Sequence, residues 1–370
     1  MKKFIPVAVP NFIGNEKKYV NDCLDTTWVS SVGKYIGEFE SRFAEYMGSG
    51  HALAVCNGTV ALHLPLLALG VGPGDEVIVP SFTYIATANA VRYCGAVPVL
   101  ADCLEDTWDI DPADIEKKIT PSTKGIIAVH LYGNPCDMDS IAEIAKKHGL
   151  FVLEDAAECH GAVYKGRKAG ATGDAGTFSF FGNKLITTGE GGMVVTDNDD
   201  LAAKMRILKG QGMDPNRRYW FTEVGYNYRM TNIEAAIGLA QLENIAVHIA
   251  ARRKVAQWYI DELRGLEDYI SFQRETPGAE TVWWMFSVRL KERVSIGRDE
   301  MMLRLKEMGI ETRPLFYPMH VMPPYYDPNA GCPVSEAVAY SGFNLPTFGA
   351  LQREDVHYIC DCVKQNLDRD

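Results

Sequence analysis

The sequence lacks the features that mark membrane-spanning and nucleic-acid-binding proteins. Its longest apolar stretch, residues 51–72, is interrupted by Asn57, His63 and Pro65, so we expect no membrane-spanning segment. The first residues carry two lysines but no sustained apolar core or cleavage site, and we therefore expect a cytoplasmic protein. The formal net charge of −11 argues against nucleic acid as a partner, because such binding needs clustered cations.

Spacings typical of metal ligands are also missing. The nine cysteines contain no C-x-x-C pattern and the eight histidines contain no H-x-x-x-H pattern, so we expect no protein-borne metal. The nearest pair, Cys360 and Cys362, is too close along the chain for an ordinary disulfide. The odd total favours reduced thiols.

Apolar residues are plentiful, at 47% of 370, which is ample for a large core. The first two-thirds of the chain alternates short β-branched runs with longer helical patterns, which predicts an α/β fold with a mostly parallel sheet flanked by helices. The predicted strands are residues 76–80, 97–102, 125–130, 150–155, 176–181 and 192–196, with predicted helices at 83–93 and 139–148.

The pattern changes at residues 231–234. Thr231 and Glu234 match a capping box, which predicts a long helix to about residue 263, bent or broken along its length. A predicted strand at 285–290 and helices at 298–308 and 354–366 indicate a small α+β domain. We therefore predict a large domain of residues 1–245 and a small C-terminal domain of residues 246–370.

Two residues suggest a covalently held aldehyde cofactor. Lys184 follows an aromatic, strand-like stretch and precedes a turn with three glycines in four residues, and Asp155 ends the apolar run 150–155. A pyridoxal phosphate enzyme needs a lysine amine to form a Schiff base and a carboxylate to keep the pyridine nitrogen protonated. Taken singly, the lysine also fits a solvated surface charge, and the aspartate a turn or helix cap.

Two segments are suited to phosphate. Gly58 and Thr59 follow an apolar segment and open a helical pattern, so that free N–H groups and a hydroxyl face outward there. The same residue types are also ordinary helix caps. Arg217 and Arg218 precede two aromatic residues, a combination that suits a diphosphate and a base but also a surface loop or an interface rim.

Several motifs resemble one known family over nearly the whole chain. The segment around Lys184 and the residues 225–232 are similar to those of the DegT/DnrJ/EryC1/StrS-type nucleotide-sugar aminotransferases, fold type I pyridoxal phosphate enzymes that act on keto sugars. Residues 26–33, 136–139, 210–221 and 318–320 resemble a narrower group within that family. The resemblance implies a seven-stranded, mostly parallel sheet in a large domain and a smaller C-terminal α+β domain.

The resemblance also implies a role for each matching residue. Lys184 is expected to hold the cofactor as a Schiff base and to move protons, and Asp155 is expected to pair with the pyridinium nitrogen. The family works as a homodimer with shared active sites, so one cofactor-binding residue is expected to come from the neighbouring subunit. The expected contacts are Tyr84 against the ring, Gly58, Thr59 and Ser179 on the phosphate, and Asn227 on the phosphate of the second copy.

Glu158 departs from the wider family pattern, which has glutamine close to the ring hydroxyl of the cofactor. If this carboxyl is buried, like charge and desolvation should raise its pKa and favour the protonated form, which donates a hydrogen bond. The alternative is that Glu158 points to solvent.

The resemblance further implies L-glutamate as amino donor, pyridoxamine phosphate as the second form of the cofactor, and C4 of GDP-4-keto-6-deoxymannose as acceptor, leading to a surface polysaccharide precursor. A UDP- or dTDP-linked 4-keto-6-deoxy sugar is the first alternative. A dehydratase branch carries histidine in place of the lysine, which Lys184 argues against, and a non-catalytic pyridoxal phosphate-binding regulator is a third reading. Expected substrate contacts are Trp28, Ser31, Arg217, Arg218, Tyr317 and His320, although a lone histidine such as His320 is also often a packed or capping residue.

Overall fold

A computed structural model describes residues 4–367. Its helices are α1 (Glu16–Asp25), α2 (Lys34–Met47), α3 (Gly58–Ala68), α4 (Ala86–Tyr93), α5 (Pro112–Lys118), α6 (Met138–His148), α7 (Asp199–Lys209), α8 (Asn232–Glu243), α9 (Ile245–Glu262), α10 (Arg298–Glu307), α11 (Pro333–Ser341) and α12 (Arg353–Asn366). Its strands are β1 (His51–Val55), β2 (Glu76–Pro80), β3 (Val97–Ala101), β4 (Thr123–Val129), β5 (Phe151–Asp155), β6 (Val163–Tyr164), β7 (Arg167–Lys168), β8 (Ala175–Ser179), β9 (Gly192–Thr196), β10 (Ile270–Phe272), β11 (Ala279–Glu280), β12 (Phe286–Leu290), β13 (Arg313–Pro314) and β14 (Gly342–Leu345).

Seven strands form the main sheet, in the order β1-β9-β8-β5-β4-β2-β3. The pairs from β8 to β3 are parallel, whereas β9 runs antiparallel to both β1 and β8. The central strands read as continuous apolar runs because helices cover both faces of the sheet. The predicted α/β fold with a mostly parallel seven-stranded sheet is confirmed.

The two predicted crossing helices are present: residues 139–148 lie within α6, which begins one residue earlier, and residues 83–93 contain α4. The helix predicted from residue 83 begins at Ala86 instead. The backbone before it is bonded elsewhere, since the Ser81 N–H donates to the Ala101 carbonyl at 2.7 Å and the Ser81 carbonyl accepts from the Met319 N–H at 2.8 Å. These bonds fix Ser81 directly after β2, and a loop then leads to the helix.

The predicted capping box is present at the start of α8. The Thr231 side chain accepts from the Glu234 N–H, and the Glu234 carboxylate accepts from the Thr231 N–H at 2.8 Å. The long helix is broken at Asn244, so that α8 ends at Glu243 and α9 begins at Ile245. The division into two domains at this point stays a prediction.

A second sheet, in the order β10-β12-β14-β13, is antiparallel throughout and packs with α9, α10 and α12 around its own apolar core. Ile5 belongs to this core, and its N–H donates to the Gly309 carbonyl at 2.9 Å. The N-terminal residues described here therefore pack with C-terminal elements. Among residues 4–367, no helix has the length and apolar character needed to cross a bilayer.

Candidate active site

The candidate site lies at the carboxyl end of β5, the middle strand of the seven. Ligands in open α/β sheets collect outside the carboxyl ends of parallel strands. Asp155, the last residue of β5, stands there with its carboxylate buried. Its Oδ2 accepts from the Thr87 hydroxyl at 2.8 Å and its Oδ1 from the Ala157 N–H at 3.2 Å. Burial raises the pKa of Asp155, and these donors oppose the rise only in part.

Lys184 sits in the turn between β8 and β9, where its N–H donates to the Phe181 carbonyl at 2.9 Å. The side chain is 12% exposed, and its Nζ lies 3.3 Å from Glu158 Oε1. The Nζ also faces the indole ring of Trp284, 4.0 Å from the ring centroid. The positive charge of Lys184 opposes the rise in the pKa of Asp155 that burial causes, so the two residues interact electrostatically.

Glu158 turns inward rather than to solvent. Its carboxyl is buried, and its Oε2 accepts from the Tyr132 N–H at 2.8 Å. Burial raises the pKa of Glu158, while the ammonium of Lys184 and the Tyr132 N–H act against the rise. Tyr132 itself has a φ of 55°, in the left-handed region that tyrosine rarely adopts. Backbone strain of this kind often marks functional sites.

The turn between β1 and α3 has the geometry of a phosphate cradle. Gly58 is the first residue of α3, and the N-cap Asn57 accepts from the Val60 N–H at 3.0 Å. A Cβ on Gly58 would lie 2.6 Å from the Cβ of Ser179, so no larger residue fits there. Thr59 follows directly, and the N–H groups of this helix start are the donors that a phosphate dianion accepts. The cradle, the half-buried Lys184 and the buried Asp155 together fit pyridoxal phosphate.

Tyr84 and Asn227 lie at the surface of the single chain. The Tyr84 side chain is 58% exposed, and its ring centroid is 5.8 Å from that of Phe316. Asn227 is exposed, and its Oδ1 accepts from Nε of Arg229 at 3.1 Å. An exposed Asn227 is compatible with a contact to a second copy.

The loop residues predicted to bind substrate are spread over two surface segments. Arg217 stacks on Trp220, with its guanidinium carbon 4.0 Å from the ring centroid, and Arg218 lies 4.9 Å from the Tyr219 centroid. Each arginine therefore contacts an aromatic ring of its own loop. The first segment contains Trp28, which is exposed, and Ser31, which is half-buried; the second contains Arg217 and Arg218, both exposed.

Tyr317 and His320 lie beside the C-terminal elements. The Tyr317 hydroxyl accepts from Arg298 Nη2 at 3.0 Å, and its side chain is 40% exposed. His320 is buried, with Nδ1 2.7 Å from Ser81 Oγ and Nε2 3.0 Å from Glu336 Oε1. Both ring nitrogens are thus engaged within the chain, as expected for the packed role that the sequence left open.

Sequence reasoning missed two aromatic residues of the site. Trp284 faces Lys184 and is stacked on Tyr132, with centroids 6.2 Å apart and the rings inclined by 13°. Trp284 lies in the segment between β11 and β12, far from Lys184 along the chain. No local motif connects these segments, so only a contact in the folded chain reveals them.

Fold and comparisons together define the chain as a fold type I, pyridoxal phosphate-dependent aminotransferase. Residues 11–364 match the DegT/DnrJ/EryC1/StrS aminotransferase family, and the chain belongs to this family.

The chain is similar along its whole length to proteins described as GDP-perosamine synthases. The protein from Caulobacter vibrioides is 56% identical over 364 residues, covering 98% of each chain. The protein from Escherichia coli is 50% identical over 363 residues, again covering 98% of each chain. Among solved structures, DesI in the presence of its TDP-sugar product superposes with a TM-score of 0.92 at 34% identity, covering 99% of this chain and 93% of that one.

Proposed function

We propose that this chain moves an amino group from L-glutamate to C4 of GDP-4-keto-6-deoxymannose and so produces GDP-perosamine. The observation that carries the proposal is the 56% and 50% identity to GDP-perosamine synthases over nearly the full chain. In this proposal the enzyme acts in the cytoplasm, and its product is a precursor of O-antigen or a similar surface polysaccharide.

The buried residues around the end of β5 support this chemistry. Bound pyridoxal phosphate supplies an aldehyde that accepts the amino group and a ring that withdraws electrons. The buried carboxylate of Asp155 accepts hydrogen bonds from two donors and can accept another, which suits a protonated ring nitrogen. Gly58, Thr59 and Ser179 would supply N–H and hydroxyl donors for the phosphate, and Tyr84 would lie against the ring.

Lys184 has two tasks in the proposal. Its amine holds the aldehyde between turnovers and, once displaced by the donor, removes and returns protons during transfer. Glu158 lies 3.3 Å from this amine and is therefore placed to interact with it in its free state. Replacing Lys184 with alanine should abolish turnover, and near-normal transamination by Lys184→Ala would contradict the assignment.

A substrate panel tests the acceptor. Purified protein is incubated with pyridoxal phosphate, L-glutamate and separate GDP-, UDP- and dTDP-linked 4-keto-6-deoxy sugars, and amination is followed by mass spectrometry. Amination of the GDP sugar supports the proposal, and amination of the UDP sugar alone refutes it. Borohydride reduction and peptide mapping of the same sample should place the cofactor on Lys184.

A TDP-linked acceptor is the second candidate function. The specific observation in its favour is the TM-score of 0.92 to DesI in the presence of its TDP-sugar product. The lower sequence identity of that protein, 34% against 56%, favours the GDP sugar. Preferential amination of the dTDP sugar in the panel would reverse this ranking.

We further propose a homodimer in which each active site uses Asn227 of the second copy. Large exposed side chains that suit such an interface are Trp28, Val29, Val32, Tyr219, Trp220 and Phe221, which are 41–72% exposed in the single chain.

A mixing experiment tests the shared site. Lys184→Ala and Asn227→Ala are each expected to be nearly inactive alone. After the two variants are unfolded and refolded together, about half of the dimers should contain one subunit of each, and one of the two sites in such a dimer has both residues intact. About a quarter of the wild-type activity should therefore return. Absence of any recovery in dimers confirmed by light scattering would contradict the shared site.

A further inference from the structure

The indole of Trp284 is tied directly to the segment that carries Lys184. Its Nε1–H donates to the carbonyl of Asn183 at 2.8 Å, one residue before the lysine. The face of the same ring lies 4.0 Å from Lys184 Nζ, measured to the centroid. Trp284 is buried, so this contact between a cation and an aromatic face is shielded from water.

The position of Trp284 is held from three further directions. Its ring is stacked on Tyr132, and its backbone carbonyl accepts from Nη1 of the buried Arg252 at 2.8 Å. Gly133, with a φ of 100°, lets the two segments approach so closely that a Cβ there would lie 2.8 Å from the Trp284 nitrogen. A ring packed in this way has little freedom to move away from the lysine.

The carboxyl group beside Lys184 is held by Tyr132, the residue on which Trp284 is stacked. The N–H of Tyr132 donates to Glu158 Oε2, which leaves Oε1 of that carboxylate 3.3 Å from Lys184 Nζ. Trp284, Tyr132 and Glu158 thus form one unit, here called the lysine cage. An aromatic face on one side and a carboxylate on another suit an ammonium group.

We propose that Trp284 is a positioning residue that, together with Glu158, holds the ammonium of Lys184 in place whenever this amine is not joined to the cofactor. The inference rests on the proposed role of Lys184 as the residue that both carries the cofactor and moves protons. A free lysine side chain has several rotatable bonds, and a cage that restrains it keeps the amine within reach of the reacting carbon. The cage therefore acts on proton transfer rather than on substrate binding.

The test measures the reactivity of Lys184 in the full-length, cofactor-free protein. A trace of acetic anhydride acetylates lysines in proportion to the reactivity of each free amine, and mass spectrometry gives the ratio of Lys184 to the exposed Lys117. Trp284→Leu removes the aromatic face and should raise this ratio about tenfold, as expected for loss of a shielded cation–π contact. Trp284→Phe keeps an aromatic face and should stay near the wild-type ratio.

Trp283 offers the matched control in the neighbouring position. Its ring packs on Phe286, with centroids 5.5 Å apart, and Trp283→Leu should leave the ratio unchanged. A ratio in Trp284→Leu equal to that of the wild type, or an equal rise in Trp283→Leu, overturns the proposal. If circular dichroism shows that Trp284→Leu does not fold, Trp284→Met replaces it, because methionine fills more of the space without an aromatic face.

Kinetics of the loaded enzyme provide the second measurement. Trp284→Leu should lower kcat for the reaction with L-glutamate about tenfold and leave KM within about twofold, with recovery in Trp284→Phe. A rise in KM at unchanged kcat would contradict a role in proton transfer. Borohydride trapping on Lys184 in each variant separates the test of the proposed function from the test of the lysine cage. Absence of trapping in the wild type refutes the proposed function. Trapping on Lys184 together with unchanged acetylation in Trp284→Leu refutes only the lysine cage.

Discussion

The two faces of β5 carry neighbouring buried carboxylates with opposite properties. Glu154 points to one face, where it accepts from His130 Nε2 at 2.9 Å and from the N–H groups of Gly170, Thr172 and Gly173 at 2.8, 2.6 and 2.6 Å. Burial alone would raise the pKa of Glu154, but these four donors outweigh it and hold the pKa below its ordinary value.

Asp155, on the other face, is also buried, but within residues 4–367 its carboxylate accepts only from Thr87 and Ala157. Its pKa is raised, because two donors do not make up for the lost contact with water. Burial therefore does not decide the role of a carboxylate. Glu154, whose oxygens accept from four donors, supports the fold. Asp155, whose oxygens accept from two, keeps acceptor capacity for a cationic ligand.

The two faces should also respond to pH in opposite ways. Because its folded-state pKa is lowered, Glu154 stabilises the fold above the ordinary pKa of glutamate, about 4.3, and this contribution is lost as the pH falls through the lower folded value. Asp155 and Glu158 have raised pKa values, so their contribution is present at low pH and is lost as the pH rises through those values.

The largest effect is expected on the site face, from Asp155→Asn. The amide is neutral and keeps an oxygen for Thr87 or Ala157, but it gives no charge to a protonated ring nitrogen. We expect kcat to fall about a thousandfold, while the free energy of unfolding of the cofactor-free protein stays within about 1 kcal/mol. Steady-state kinetics and urea denaturation measure the two quantities. Activity within tenfold of the wild type would remove Asp155 from its assigned role.

Glu154→Gln should invert this result, with a loss of stability and little change in the activity of folded molecules. The new NH₂ group replaces an oxygen that accepts from two buried donors, which should lower the free energy of unfolding by about 3 kcal/mol at neutral pH. The difference from the wild type should shrink in acid, where Glu154 itself becomes protonated.

Urea denaturation at several pH values measures the loss. The exposed Glu292 provides the control, since Glu292→Gln should change the free energy of unfolding by less than about 0.5 kcal/mol. Equal stability of Glu154→Gln and the wild type at neutral pH would show that the four donors do not stabilise the charge.

The smallest effect is expected at Asp109, another buried carboxyl that sharpens the comparison. It accepts from Asn134 Nδ2 at 2.8 Å, Thr276 Oγ1 at 3.2 Å and the Leu131 N–H at 3.4 Å, yet burial raises its pKa well above the usual range. A protonated carboxyl resembles asparagine in charge, so Asp109→Asn should change stability by less than about 1 kcal/mol at pH values below the raised pKa.

Thermal unfolding from weakly acidic to alkaline buffer checks this expectation. The raised pKa means that the wild type loses the contribution of Asp109 as the pH rises, so the variant should gain relative stability in alkali. A large loss of stability in Asp109→Asn near neutral pH would indicate that Asp109 is ionised in the folded protein.

Local patterns predicted six of the seven strands of the main sheet and supplied candidate residues for the site. The predicted strands 76–80 and 192–196 coincide with β2 and β9. A strand that is covered on both faces of a sheet is apolar along its length, so such runs are recognisable in the sequence. The capping box at Thr231 could be recognised in the sequence because its hydrogen bonds join residues only three positions apart. The predicted start of α4 was wrong by three residues. The backbone of Ser81 before it bonds to Ala101 and Met319, and local sequence preferences contain no information on such distant contacts.

By itself, the order of residue types in this chain determined six of the seven strands of the main sheet, some of its covering helices and the choice of Lys184 and Asp155 as candidate residues. Only the tertiary structure decided that Glu158 turns inward, that His320 is bonded on both sides, and that Trp284 lies against the amine of Lys184. The reason is physical: periodicity and capping act over a few residues, whereas burial, pKa and contact depend on which distant segments the fold brings to the same strand end.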